Sequence, residues 1–203
     1  MAKRGVLLAL EGVDGCGKST QAELLASALR ERGLEVVLTR EPTDSLLGRQ
    51  IREYFQGSER YLSPKEELNL FMADRREHVA EVIDPALAEG KIVISDRYYY
   101  SSVAYQGALG LDPERILAQN EVMAVRPNLT VILTLPVAQA LARLSGTPQR
   151  PRQVSEEPAY LERVATIYAS LKGPEIHQVD ASAPPAEVHA FILQLSLKAL
   201  RDS

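Results

Sequence analysis

The chain is expected to adopt an α/β fold of the P-loop NTPase kind: a five-stranded parallel sheet flanked by helices on both faces, with an arginine-containing lid. Three observations point there. Residues 12–19, Gly-Val-Asp-Gly-Cys-Gly-Lys-Ser, satisfy Gly-x-x-x-x-Gly-Lys-[Ser/Thr] at every fixed position. The octet lies between an apolar run and a helical pattern, the context the motif requires. Downstream, short apolar runs alternate with helix-length amphipathic stretches, the signature of parallel strands joined by crossover helices.

The first strand is Val6–Glu11, apolar from Val6 to Leu10, as a strand buried on both faces should be. The loop follows. Its glycines Gly12, Gly15 and Gly17 let the backbone fold around an anion with N–H groups inward. The helix from about Gln21 adds the positive end of its dipole. Val13, Asp14, Cys16 and Thr20 complete the nucleotide-binding set. Lys18 can reach the β- and γ-phosphates, and the Ser19 hydroxyl can ligate Mg²⁺. A second buried strand is expected at Glu35–Thr39. Ser63-Pro64-Lys65-Glu66 is a capping box with proline at the first helical position. It opens a helix running to about Glu89 and closed by Gly90.

The third strand, Lys91–Ser95, runs into Asp96-Arg97-Tyr98. A carboxylate at the end of a strand downstream of a phosphate loop is placed to organise magnesium, so Asp96 pairs with Ser19. Asp112-Pro113 opens a further helix, with the aspartate as its cap. Leu129–Leu135 is the fourth strand and Ile176–Asp180, more polar, the fifth. Pro184-Pro185 opens the last helix, where Val188, Phe191, Ile192, Leu195 and Ala199 form one apolar stripe, read as core. Between two helical stretches, Ser145–Pro158 carries Gly146, Pro148, Pro151 and Pro158 with Arg150 and Arg152. It is too polar to bury. Composition alone favours a solvated surface loop, but beside a phosphate site it suggests a lid, about residues 144–157.

Ligands in open α/β sheets bind beyond the carboxyl ends of the strands. Three such ends carry Asp14, then Arg40-Glu41-Pro42, then Asp96-Arg97, which reads as one shared site. A guanidinium there suits a second phosphate group.

Composition bounds the partners. At 203 residues, 45% of them apolar, a single domain spanning 1–203 is expected. The net charge of −4 leaves no basic footprint for nucleic acid. No run approaches the roughly 20 apolar residues of a membrane span. Lys3 and Arg4 precede only a short apolar run, which does not read as a signal peptide. Cys16 is the single cysteine, in keeping with a cytoplasmic location. Its position near a helix N-terminus suggests a reactive thiolate slowed by bound ATP. His78, His177 and His189 show no ligand spacing and read as surface or partly packed residues.

With these motifs in place, the chain resembles bacterial thymidylate kinases over nearly its whole length. The matching residues are Gly12–Ser19, Arg40-Glu41-Pro42, Leu70-Phe71-Met72-Ala73-Asp74-Arg75, Asp96-Arg97-Tyr98, and Ser101-Ser102-Val103-Ala104-Tyr105-Gln106-Gly107. The resemblance implies the reaction ATP + dTMP to ADP + dTDP, with Mg²⁺, and a homodimer formed through the long helices. It implies that Phe71 stacks on thymine and Arg75, at i+4 on the same helix face, donates to its O4. Ser102 and Gln106 would be further base contacts. Tyr105 would crowd the sugar 2′ position, and Asp14 would accept from the 3′-OH. Arg97 would hold the monophosphate, with Glu41 and Pro42 close by. Arg143 would stack on adenine.

Some members of the family carry a catalytic arginine inside the phosphate loop, right after the aspartate. That position is Gly15 here, so the resemblance assigns this role to the lid arginines Arg150 and Arg152. Two alternatives remain: another kinase of this class acting on a different nucleotide or deoxynucleoside, and a GTPase-type switch, which would need an Asn-Lys-x-Asp guanine reader that the sequence does not contain.

Overall fold

The computed structural model describes residues 4–57, 59–146 and 154–202. Five strands form one wholly parallel sheet in the order β2-β3-β1-β4-β5. They are β1 (Val6–Glu11), β2 (Val36–Arg40), β3 (Ile92–Asp96), β4 (Leu129–Thr134) and β5 (Ile176–Asp180). Every strand lies within one residue of its expected bounds. The central strands β1, β3 and β4 are buried almost end to end, which is why they read as unbroken apolar runs. The edge strands differ. β5 fully buries only Val179, between exposed Gln178 and Asp180, accounting for its polar sequence. β2, expected to be buried, is only half-buried because it has a neighbour on one side alone.

The helices are α1 (Lys18–Arg30), α2 (Leu46–Gln56), α3 (Pro64–His78), α4 (Asp84–Ala88), α5 (Tyr99–Gly107), α6 (Pro113–Met123), α7 (Val137–Ser145), α8 (Pro158–Ser170) and α9 (Pro185–Asp202). The Ser63 capping box forms as expected, its hydroxyl accepting from Glu66 N and the Glu66 carboxylate accepting from Ser63 N. The single helix expected to reach Glu89 is interrupted by a π-helical turn at Val79–Ile83. There the Asp84 N–H bonds the Val79 carbonyl, five residues back. The wider turn falls just before Pro85, whose ring cannot sit under the carbonyl of an unbroken α-helix. Asp112 caps α6 through Glu114 N and Arg115 N. On α9, Val188 and Ile192 are buried, but Phe191 is half exposed and so leaves the expected stripe. Buried Ser196 sits on the core side, its hydroxyl satisfied by Ile192 O.

Among the described residues no helix is long and apolar enough to cross a membrane. Register brings the polar strand ends together. Leu10 and Arg40 both pair with Asp96, so the residues that follow β1, β2 and β3 emerge side by side on one edge of the sheet.

Candidate active site

The phosphate loop leaves β1 and enters α1 through Gly17, a left-handed cap. Lys18 is buried, its ammonium donating to Val13 O at 2.9 Å and to Cys16 Sγ at 3.8 Å. Gly15 has φ +82°, and a Cβ built there would lie 2.3 Å from the Ala140 carbonyl oxygen of α7. That backbone contact and the positive φ explain why no side chain stands at this position.

Cys16 is buried, and burial pushes its thiol up, more than Lys18 and Arg97 pull it down. The expected reactive thiolate is therefore corrected: desolvation outweighs the positive surroundings of the loop.

Ser19 Oγ donates to Asp96 Oδ2 at 2.5 Å, joining the start of α1 to the end of β3. Asp96 Oδ1 is buried with no hydrogen-bond partner among the described residues. A buried carboxylate oxygen left over beside a hydroxyl fits a hard divalent cation. No cluster of three or more His, Cys, Asp or Glu able to hold a metal occurs among the described residues. Mg²⁺ takes one or two protein carboxylates and keeps water and substrate phosphate for the rest.

Asp14, Arg97 and Tyr105 form the centre. Arg97 Nη2 lies 2.7 Å from Asp14 Oδ1 and donates to Tyr105 Oη at 3.2 Å. Tyr105 Oη donates to Asp14 Oδ2 at 3.2 Å and accepts from Asp14 N at 3.1 Å. Burial works against the Asp14 carboxylate, but the charges of Arg97 and Lys18 win and hold it at about 2. Arg97 has φ +72°, the one positive φ outside glycine among the described residues. Such backbone persists only where the surroundings over-determine it, and it collects at functional sites.

A cleft of about 840 Å³ runs over the phosphate loop toward Arg143, Leu144, Ala181 and Pro185. The Arg143 guanidinium donates to Ala181 O at 2.9 Å, which sets its direction. Thr20 also faces this cleft. A second cleft of about 440 Å³ is lined by Pro42, Phe71, Ser102, Tyr105 and Gln106. Both clefts include Asp14, Ser19, Arg40 and Arg97.

Beneath the second cleft lies a buried ionic network. Arg75 is 1% exposed. Its Nε and Nη2 donate to Glu41 Oε2 at 2.8 and 2.6 Å. Its Nη1 donates to Asn120 Oδ1 at 2.5 Å, and both terminal nitrogens reach Ser102 Oγ at 3.2 Å. Glu41 Oε1 lies 3.0 Å from His78 Nδ1, and His78 Nε2 lies 2.7 Å from Thr39 Oγ1. His78, expected at the surface or partly packed, is thus corrected to a fully buried member of this network. Both of its ring nitrogens have polar partners, which is what permits the burial. Gln106 Nε2 approaches Glu67 Oε2 at 3.4 Å, and Tyr54 Oη donates to Glu67 Oε1 at 2.7 Å.

Arg150 and Arg152 lie outside the described residues. The sequence reading missed Arg52 and Phe55, which line the second cleft from α2, and Ser155, which lines it from the 3₁₀ turn Val154–Glu156. Phe55 packs on Phe71 with ring centroids 5.7 Å apart. The Ser45 cap and the Ile51-x-x-Tyr54 spacing were the available signals for α2.

A glycine-rich loop turning from β1 into α1, with an aspartate ending the neighbouring strand, defines a P-loop nucleotide-binding protein. Its second cleft, meeting the loop at an arginine and an aspartate, adds room for a phosphorylated acceptor. The family model described as "Thymidylate kinase" matches residues 10–192. A thymidylate kinase of Desulfotalea psychrophila is 44% identical over 177 residues, 87% of each chain. One of Xanthomonas campestris is 43% identical over 201 residues, 97% of this chain and 87% of the relative. A probable thymidylate kinase of Pyrococcus horikoshii is 44% identical over 202 residues, 95% of this chain and 96% of the relative. The chain belongs to the thymidylate kinase family.

Proposed function

We propose that the enzyme transfers the γ-phosphoryl group of ATP to dTMP, giving ADP and dTDP. The observation that carries this reading is the meeting of two clefts at Asp14, Ser19, Arg40 and Arg97. ATP occupies the larger cleft, with its phosphates on the loop amides and Lys18. dTMP occupies the smaller, its base against Phe71 and its phosphate on Arg97. An oxygen of the dTMP phosphate attacks the γ-phosphorus, the bond to the ADP oxygen breaks, and no proton need be removed from the ionised nucleophile. Catalysis is positioning and charge neutralisation. Ser19 and Asp96 would hold Mg²⁺, which would supply charge screening on the donor phosphates. Asp14, held ionised, accepts from the deoxyribose 3′-OH while pairing with Arg97. Tyr105 closes the 2′ side.

Arg75, fixed beneath the cleft by Glu41, Asn120 and Ser102, is the donor for the base O4. Cytosine presents a donor there, so it meets donor against donor. Arg143 flanks the adenine. Gly15 leaves the transferring phosphoryl to be reached by Arg150 and Arg152 of the lid, residues 144–157. The chain acts as one domain, forms a homodimer and works in the cytoplasm on small-molecule substrates.

A coupled ADP-release assay over dTMP, dUMP, dCMP, UMP and dGMP tests this. dTMP should be the best acceptor and dUMP, short of one methyl, within about 10–200-fold of it. Activity on dCMP or dGMP equal to that on dTMP would overturn the substrate assignment.

A further inference from the structure

We infer that Glu11 is a positioning residue that locks Arg97 into its phosphate-holding conformation by capping α5 from another element. This inference rests on the reading of Arg97 as the dTMP-phosphate ligand. Arg97 occupies left-handed backbone, so the turn Arg97–Ser101 must be held from outside. The helix that follows lacks a cap of its own, because Tyr98 stands at the N-cap and makes no side-chain capping bond. Glu11 supplies it. Its Oε1 accepts from Tyr98 N at 2.9 Å and from Ser101 N at 3.1 Å. Ser101 is the third residue of α5, the donor that a serine or aspartate cap would normally satisfy. Its Oε2 accepts from Ser101 Oγ at 2.6 Å and from Tyr168 Oη at 2.9 Å.

Ser101 Oγ in turn accepts from Arg97 Nη1 at 2.9 Å, so the carboxylate orients the guanidinium as well as the backbone. Glu11 is 0% exposed and precedes Gly12 directly. One carboxylate therefore ties the start of the phosphate loop, the arginine turn and α8 together. The body of α5 does not depend on it, since Tyr99, Tyr100, Val103 and Ala104 are all buried in the core.

That separation provides the test. Glu11→Gln keeps the shape but sets an amide group against the Ser101 and Tyr168 hydroxyls. It should raise the Kd for dTMP and lower kcat, each by roughly tenfold or more, as misplacement of a positioned group does. Thymidine, which has no phosphate for Arg97 to hold, should bind the variant as it binds the parent. Tyr168→Phe removes one of the four bonds and should show the same selectivity at smaller size, and it decides the matter should Glu11→Gln fail to fold. Equal weakening of dTMP and thymidine, or no weakening of either, would overturn the inference. Arg97→Ala runs beside them. If it leaves dTMP affinity intact, the assignment of Arg97 itself fails. If it selectively weakens dTMP while both other variants do not, only the role of Glu11 fails.

Discussion

Replacing Gly15 with alanine places a methyl group 2.3 Å from the Ala140 carbonyl oxygen and 2.9 Å from Leu144 Cγ. The Leu144 side chain can swing aside, but the carbonyl belongs to the body of α7, so helix or loop must move. Gly17→Ala is the matched control. It too has positive φ, +103°, yet a Cβ there meets nothing within 4 Å. Both variants bear the backbone cost of a side chain at positive φ, about 1–3 kcal/mol. Only Gly15→Ala adds overpacking, a further cost of about 1–3 kcal/mol. At about 2–4 °C per kcal/mol for a chain of this size, Gly15→Ala should melt roughly 2–12 °C below Gly17→Ala. Scanning fluorimetry without nucleotide measures this. If Gly15→Ala melts at or above Gly17→Ala, the contact with α7 does not restrict the loop. The steric reason given for the missing side chain at position 15 then falls with it.

Asp14 makes stability depend on pH. Its carboxyl sits at about 2 against an ordinary 3.8, so the folded state favours the ionised form. The gap corresponds to about 2 kcal/mol, fully present above about pH 4 and lost as pH falls toward 2. Urea unfolding should show Asp14→Asn losing stability relative to the parent at pH 7, with the difference shrinking below pH 4. A constant difference would contradict the pairing with Arg97 and the influence of the nearby Lys18 charge. Cys16 should react with iodoacetamide at pH 8 far more slowly than free cysteine, because burial both covers it and disfavours the thiolate, and bound ATP should slow it further. Labelling at the free-thiol rate would refute this.

The sheet was legible because its central strands lie under helices on both faces, and an unbroken run such as Val6–Leu10 has no other plausible home. The phosphate loop was legible because its backbone geometry demands glycine and its chemistry demands Lys18 and Ser19. The buried network was not. Nothing local to Arg75, Glu41, His78 or Asn120 announces that four polar residues from α3, the end of β2 and α6 converge. Polar side chains can be buried only when paired, and pairing across sequence distance is tertiary information. Cys16 failed for a related reason: spacing shows which charges are near but not how little water reaches the sulfur. Helix α2 was missed because it buries only Gly48, Ile51 and Tyr54, a stripe too thin to stand out.

The Glu41–Arg75 pair limits how base preference can be re-engineered. Changing either partner alone strands the other's charge in the interior, at about 3–5 kcal/mol. That is a large share of the roughly 5–15 kcal/mol that holds a domain folded. Libraries randomised at those positions should therefore be depleted of soluble members before selectivity is ever sampled. Ser102 and Gln106 carry no charge, so changing them strands none, but both are buried against Arg75 and Glu67, and variation there keeps the scaffold standing only where a polar group of similar size replaces them.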